Sequence, residues 1–432
     1  MYDLAIIGGE LYIDGSYVRK NLYIKDGKIA SITDDILDST DIYNAVGKKV
    51  LPGFIDPHVH FELNVGRYTS CDDFYWGSVS GAYGGITTFV DFLDPVDNAK
   101  ELEDAFISRR KLAEKSVVDY GFHATVKNPV GEVDSIVKTM KKLGLPSVKL
   151  FTTYSDSGRR TYDNEIIEFL KLSRKNDFIV LAHIEDDELI NLDKSFEVVD
   201  LAISRSSRAE LNEALKLARY TRDHDGNLYM VHLSSGNTIS ALRDEYSDIL
   251  NKNFFIESCP QYFSFGSDVF NKDNGYLYAL APPLRSEEEI GLLVDSFDYI
   301  DTIGTDHCPF MKDEKYGKRL VDMPMGIGGI EHSFSVMYSL FGDKVIDKMT
   351  VNPAKIHGLY PKKGVLLEGS DGDVVIYDCS RRYVIERNHS RCDYSVYDGY
   401  EVVGEVVSTI SRGKFVVRDG EFVGGSGEYV RG

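Results

Sequence analysis

Eight short apolar runs between residues 53 and 305 constrain the fold more than any other feature of this sequence. They cover residues 53–59, 86–91, 118–126, 147–151, 178–183, 228–232, 254–258 and 299–305. Most of the intervals carry helix-like text. Between 97 and 115, Ala99, Leu102, Ala105, Phe106 and Leu112 recur at helical spacing, with Asp97 placed as an N-cap. Between 208 and 220, Leu211, Ala214, Leu215 and Ala218 do the same. Strands alternating with helices imply parallel strands joined by crossover helices. Eight such units fit an α/β fold of the closed (β/α)8 TIM-barrel type. A doubly wound open sheet is the alternative, but no Gly-x-Gly-x-x-Gly or Walker-type loop supports a nucleotide fold. Residues 311–328 mix charge, Pro and Gly and read as a loop near the barrel mouth.

The flanks have a different texture. Short apolar runs end in turns such as Asp14-Gly15, Asp26-Gly27 and Asp419-Gly420, which is hairpin text. Neither flank is large enough to bury a core alone. Residues 1–51 and 362–432 are therefore expected to pair into one small β-sandwich, leaving 52–361 as the barrel.

The net charge of −20 argues against a protein that tracks nucleic-acid phosphates or binds an anionic membrane. No run approaches the roughly 20 apolar residues of a membrane span. Met1-Tyr2-Asp3-Leu4 does not open a basic-then-apolar leader. The five cysteines include no Cys-x-x-Cys pair and are odd in number, so they read as free thiols in a reducing, cytoplasmic setting.

The chemistry lies at the strand ends. Gly53-Phe54-Ile55-Asp56-Pro57-His58-Val59-His60 ends in two histidines spaced by two, so both point to one face. Lys149 sits inside the fourth apolar run, His183 and His232 end the fifth and sixth, and Asp306 follows the eighth. Barrel active sites form at the C-terminal strand ends, so these residues share one rim. Imidazoles and a carboxylate suit a zinc-like metal better than magnesium or calcium. An ammonium cannot ligate a cation. Lys149 fits only if converted, and a carbamate made with CO2 would bridge two metals. Two such ions would share a hydroxide of lowered pKa, with Asp306 taking its proton and later giving it to a leaving nitrogen. That sequence of steps hydrolyses an amide.

Taken together, these residues resemble the cyclic amidohydrolases, which include dihydropyrimidinases and hydantoinases, dihydroorotases and allantoinases. Further matching pieces are Gly84-Gly85-Ile86-Thr87-Thr88, Ser258-Cys259-Pro260-Gln261-Tyr262, Pro282-Pro283-Leu284-Arg285 and Asp306-His307-Cys308-Pro309. The resemblance implies two divalent ions, zinc foremost, held by His58, His60, carboxylated Lys149, His183, His232 and Asp306. It also implies a small cyclic amide or ureide as substrate and a homotetramer. Dihydroorotases carry an arginine where this chain has Glu62, which favours the hydantoinase side. Tyr154 matches the tyrosine that hydantoinases are implied to use on the oxyanion. Two implied substrate contacts fall on departures from the family text, Ala281 and His332. Arg67 reads either as a surface arginine or as a partner for an anionic substituent. Allantoinase and dihydroorotase activities are the near alternatives, and a non-catalytic scaffold is the remote one.

Overall fold

The structure is a computed structural model, and it describes residues 1–386 and 388–432. Eight parallel strands follow one another in sequence order around the central sheet. They are β1 (Phe54–Val59), β2 (Ile86–Phe92), β3 (Asp119–Thr125), β4 (Ser147–Phe151), β5 (Ile179–His183), β6 (Leu228–Met230), β7 (Phe254–Ser258) and β8 (Thr302–Ile303). β8 is short because the chain bends after it. The Asp56 carboxylate accepts from the Thr305 N–H at 3.1 Å and the Thr305 hydroxyl at 2.6 Å. Beyond that bend the ring closes on β1. The Asp306 N–H donates to the His58 carbonyl, and the His60 N–H to the His307 carbonyl, both at 2.9 Å. This closure decides for a barrel over an open sheet.

Helices cover the outside. In Val133–Leu143, Val133, Ile136, Val137 and Met140 are buried, the spacing of one helical face, and Gly144 ends the helix at φ 72°, which a side chain would resist. Ala99–Ala113 starts one residue later than its expected cap: Asn98, not Asp97, accepts from the Glu101 N–H at 3.0 Å. Asp97 is engaged elsewhere, accepting from the Asn128 N–H and pairing with Lys127.

The two flanks share a sheet. Val374–Val384 pairs antiparallel with Lys49–Pro52, joining four C-terminal strands to three N-terminal ones. A second sheet of four strands is wholly N-terminal. Leu4, Leu22 and Val50 pack with Val374, Ile376 and Ile410 between them, so both ends contribute to the sandwich core, the N-terminal one the larger part. Two stretches of the C-terminal flank return to the barrel. Arg391 N–H and the Ser390 hydroxyl donate to Asp72 beside the mouth. At the opposite end, β4 pairs with β3 only at Ala124 and Thr125. The edge left below is taken by the tail, with Tyr120 N–H donating to Glu428 O at 3.0 Å and Val430 N–H to Tyr120 O at 2.8 Å. Among the described residues no helix is long and apolar enough to cross a membrane.

Candidate active site

The C-terminal strand ends enclose a cavity of about 590 Å³, whose wall includes His58, His60, Lys149, His183, His232 and Asp306. The two-residue spacing on β1 brings His58 Nε2 and His60 Nε2 within 3.2 Å. Asp306 Oδ1 completes the triangle, 3.2 Å from His58 Nε2 and 3.1 Å from His60 Nε2. The His183 and His232 rings lie 4.6 Å apart, and His232 lies 5.4 Å from His58, so the imidazoles form a continuous arc. Tyr154 stands 5.2 Å from the His183 ring. Lys149 Nζ lies between the Phe92 and Phe151 rings, at 5.1 and 5.4 Å from their centroids, with no ion pair among the described residues.

Three of these positions hold strained backbone. Tyr154, His232 and Asp306 have φ of 70°, 39° and 51°, left-handed values that cost a non-glycine residue about 1–3 kcal/mol. Their surroundings impose it. On either side of Asp306, Thr305 is tied to Asp56, and His307 is held by Asp72 at 2.9 Å and by the Gly329 N–H at 3.1 Å.

Carboxylates behind the site orient its rings. Glu257, fully buried on β7, accepts from His58 Nδ1 at 2.7 Å, the His232 N–H at 2.9 Å and the Tyr229 hydroxyl at 2.8 Å. This leaves His58 Nε2 facing the cavity. Burial works against a charged His58, but Glu257 and Asp306 outweigh it and hold its pKa at about 9. Burial keeps His60 and His183 neutral, each near 4, and lowers His232 well below the usual range. Burial also opposes an ionised Asp306, yet His58 and His60 hold it well below the usual carboxylate range. Burial brings Lys149 down to about 8, against Asp306 and Glu257. Glu185 binds His183 Nε2 at 2.6 Å and is itself clamped by Arg205.

This donor set fits a divalent metal. His58, His60 and Asp306 each offer a ligand atom within 4.8 Å of the others. His60 Nδ1 and His232 Nδ1 are buried without a hydrogen-bond partner among the described residues. Imidazoles converging on a carboxylate, with one ring nitrogen of His58 and one of His183 held by acids, are the arrangement of a transition-metal site.

Residues 49–416 match the amidohydrolase family model. The chain belongs to the amidohydrolase family. It is 31% identical to a D-hydantoinase of Geobacillus stearothermophilus, over 95% of this chain and 92% of that one. A D-phenylhydantoinase of Escherichia coli O81 is 30% identical, over 96% and 94%. A dihydropyrimidinase from Brevibacillus agri superposes with a TM-score of 0.93 at 27% identity, covering 100% of this chain and 98% of that one. An L-hydantoinase (dihydropyrimidinase) from Arthrobacter aurescens does so with a TM-score of 0.89 at 26% identity, covering all of both chains.

In this amidohydrolase, Tyr154 and Ala281 also line the cavity. His332 does not. It is buried one residue before helix Ser333–Phe341, in a turn whose Gly329 and Ile330 N–H groups face His307. Glu62 is outside the wall as well, paired with Lys115 at 2.8 Å. Arg67 lies at the mouth, highly exposed and bound to Asp322 at 3.2 Å. Sequence reasoning missed Glu257, Glu185, Arg205 and Asp56. The signal for Glu257 was an acid inside the apolar run Phe254-Phe255-Ile256-Glu257; that for Glu185 was its place two residues past His183.

Proposed function

We propose that this amidohydrolase is a binuclear metal-dependent hydrolase opening a cyclic amide of the dihydropyrimidine or hydantoin type to an N-carbamoyl amino acid. The observation that carries this reading is the meeting of His58 Nε2, His60 Nε2 and Asp306 Oδ1 in one cavity with His183, His232 and Lys149. The hydantoinase and dihydropyrimidinase relatives support the ring class. His58, His60, His183, His232, Asp306 and carboxylated Lys149 would hold two divalent ions, zinc in our reading. Bound there, they supply Lewis acidity at the amide carbonyl and make water a nucleophile at neutral pH.

The chain's own groups do the rest. Lys149 suits carbamate formation because burial leaves a neutral amine accessible near pH 8. The ionised Asp306 accepts the proton of the attacking water and returns it to the ring nitrogen as the C–N bond breaks. Burial keeps the Tyr154 hydroxyl protonated, and it donates to the carbonyl oxygen as charge develops there. Glu257 and Glu185 hold the His58 and His183 rings in register. The division at residues 52 and 362, the homotetramer and the cytoplasmic setting belong to the same proposal; five unpaired cysteines support the last.

The test combines metal analysis with hydrolysis of 5,6-dihydrouracil, hydantoin, allantoin and dihydroorotate. Two metal ions per chain and ring opening of dihydrouracil or hydantoin are expected. Turnover of dihydroorotate alone would overturn the ring class, and an active protein without stoichiometric metal would overturn the mechanism.

A further inference from the structure

We infer that the cavity holds a subsite for a carboxylate carried on the ring substituent, and that Arg159 is the specificity-determining residue that reads it. This rests on the ring-opening function proposed above and names the substrate class within it.

Away from the histidines much of the wall is apolar, with Leu63, Val65, Leu93, Val321 and Met323. Three arginines join that wall, and two are already spent. Arg205 is buried, bound to Glu185 and stacked 4.9 Å from the Tyr154 ring. Arg67 is bound to Asp322. Arg159 is half-buried, and among the described residues its guanidinium makes no ion pair or side-chain hydrogen bond. Its neighbour Arg160 shows what the loop provides for other cations: Asp187 at 3.1 Å and Glu188 at 3.3 Å. The remaining charged group on the wall, Asp94, is exposed and forms no ion pair with Arg159.

Arg159 is also held in place. Its N–H donates to the Tyr154 carbonyl at 3.1 Å, and the Thr161 N–H closes the loop onto Phe151 O at 2.8 Å. The Ser155 N–H anchors the turn on Asp187. The Arg159 backbone therefore lies one tight turn along the chain from Tyr154, whose hydroxyl is assigned to the scissile carbonyl. A ring bound at Tyr154 shares its cavity with this apolar wall and with a guanidinium that makes no ion pair among the described residues. A carboxylate on a short aliphatic arm satisfies both features, because the planar guanidinium donates two charge-assisted bonds to it. A purely aliphatic arm would strip water from the cation and return nothing.

The test uses the metal-loaded full chain and two nearly isosteric substrates, hydantoin with a 5-(2-carboxyethyl) arm and hydantoin with a neutral 5-(2-carbamoylethyl) arm. Wild type is expected to favour the acid by about tenfold in kcat/KM, chiefly through KM, with the preference shrinking as salt rises. Arg159→Gln should bring the ratio close to one, while Arg159→Lys keeps part of it. A wild-type ratio near one, or a ratio unchanged in Arg159→Gln, overturns the subsite while ring opening stands. A wild type that opens neither of these rings, nor hydantoin itself, overturns the ring-opening reading and the subsite together.

Discussion

Replacing Glu257 by glutamine measures how far the proposed metal ligands are held from behind. The carboxylate is fully buried and accepts three hydrogen bonds, from His58, His232 and Tyr229. A glutamine oxygen in the place of Oε1 keeps the first two. Its NH2 group then meets the Tyr229 oxygen, whose hydroxyl turns to donate to Thr302 Oγ1 at 2.6 Å. Every partner survives and only the charge leaves. Charge-assisted bonds are about twice as strong as neutral ones, so each of the three weakens by about 1 kcal/mol. Relief from burying a carboxylate offsets part of that. The metal-free fold should therefore lose no more than about 2 kcal/mol. Metal affinity should fall further, by about 10–100-fold, because an imidazole backed by a carboxylate is the more basic ligand. The assay is metal content across a series of chelator-buffered free-metal concentrations, beside thermal melts with and without metal. Unchanged half-occupancy in a folded Glu257→Gln protein would refute the reasoning. Glu257→Ala is the control: it leaves the His58 Nδ1–H and the His232 N–H buried without that acceptor, at about 1–3 kcal/mol each, and should destabilise the metal-free protein itself.

Asp301 gives a pH signature away from the site. Burial lifts its carboxyl to about 7 despite the Ile256 N–H at 2.8 Å and the nearby Lys348. The folded value lies above the unfolded one, so this contribution to stability is full below the unfolded carboxylate range, near pH 4, and lost as pH rises through 7. Asp301→Asn keeps the acceptor and should stabilise the protein at pH 8 by up to about 4 kcal/mol but not at pH 4; equal effects in urea melts at both would count against it. Lys149→Ala should lose metal, and millimolar short-chain carboxylic acids should restore part of it; metal content indifferent to both would remove the carbamate. Tyr154→Phe should lower kcat by about 100-fold with metal content intact, and an unchanged kcat would end the oxyanion assignment.

The barrel was legible because each of its strands is buried on both faces and so reads as an apolar run; all seven residues of β2 and of β3 are buried. The candidate ligands were legible because His58, His60, His183, His232 and Asp306 end or follow those runs and Lys149 interrupts one. Glu257 escaped notice because an acid mid-strand has no meaning until His58, distant in sequence, is seen across the barrel. Asp97 lost its capping role to Asn98 because a loop contact with Asn128 claimed its carboxylate, which no local pattern records. His332 was placed by resemblance, and the turn that seats it faces His307 instead. Arg159 could not be told from any surface arginine in the sequence, since its proposed role rests on its having no ion pair among the described residues.

The tail along β3 bears on how the chain is made. Tyr120 leaves the ribosome about three hundred residues before Glu428 and Val430, which bond its backbone. The Lys49–Pro52 strand likewise waits for Val374–Val384. Throughout synthesis the nascent chain thus carries two unpaired strand edges, the kind of surface that recruits other chains. Losing the last few residues would leave the first of these open for good, and the damage would appear as aggregated product at the bench rather than as a slower enzyme.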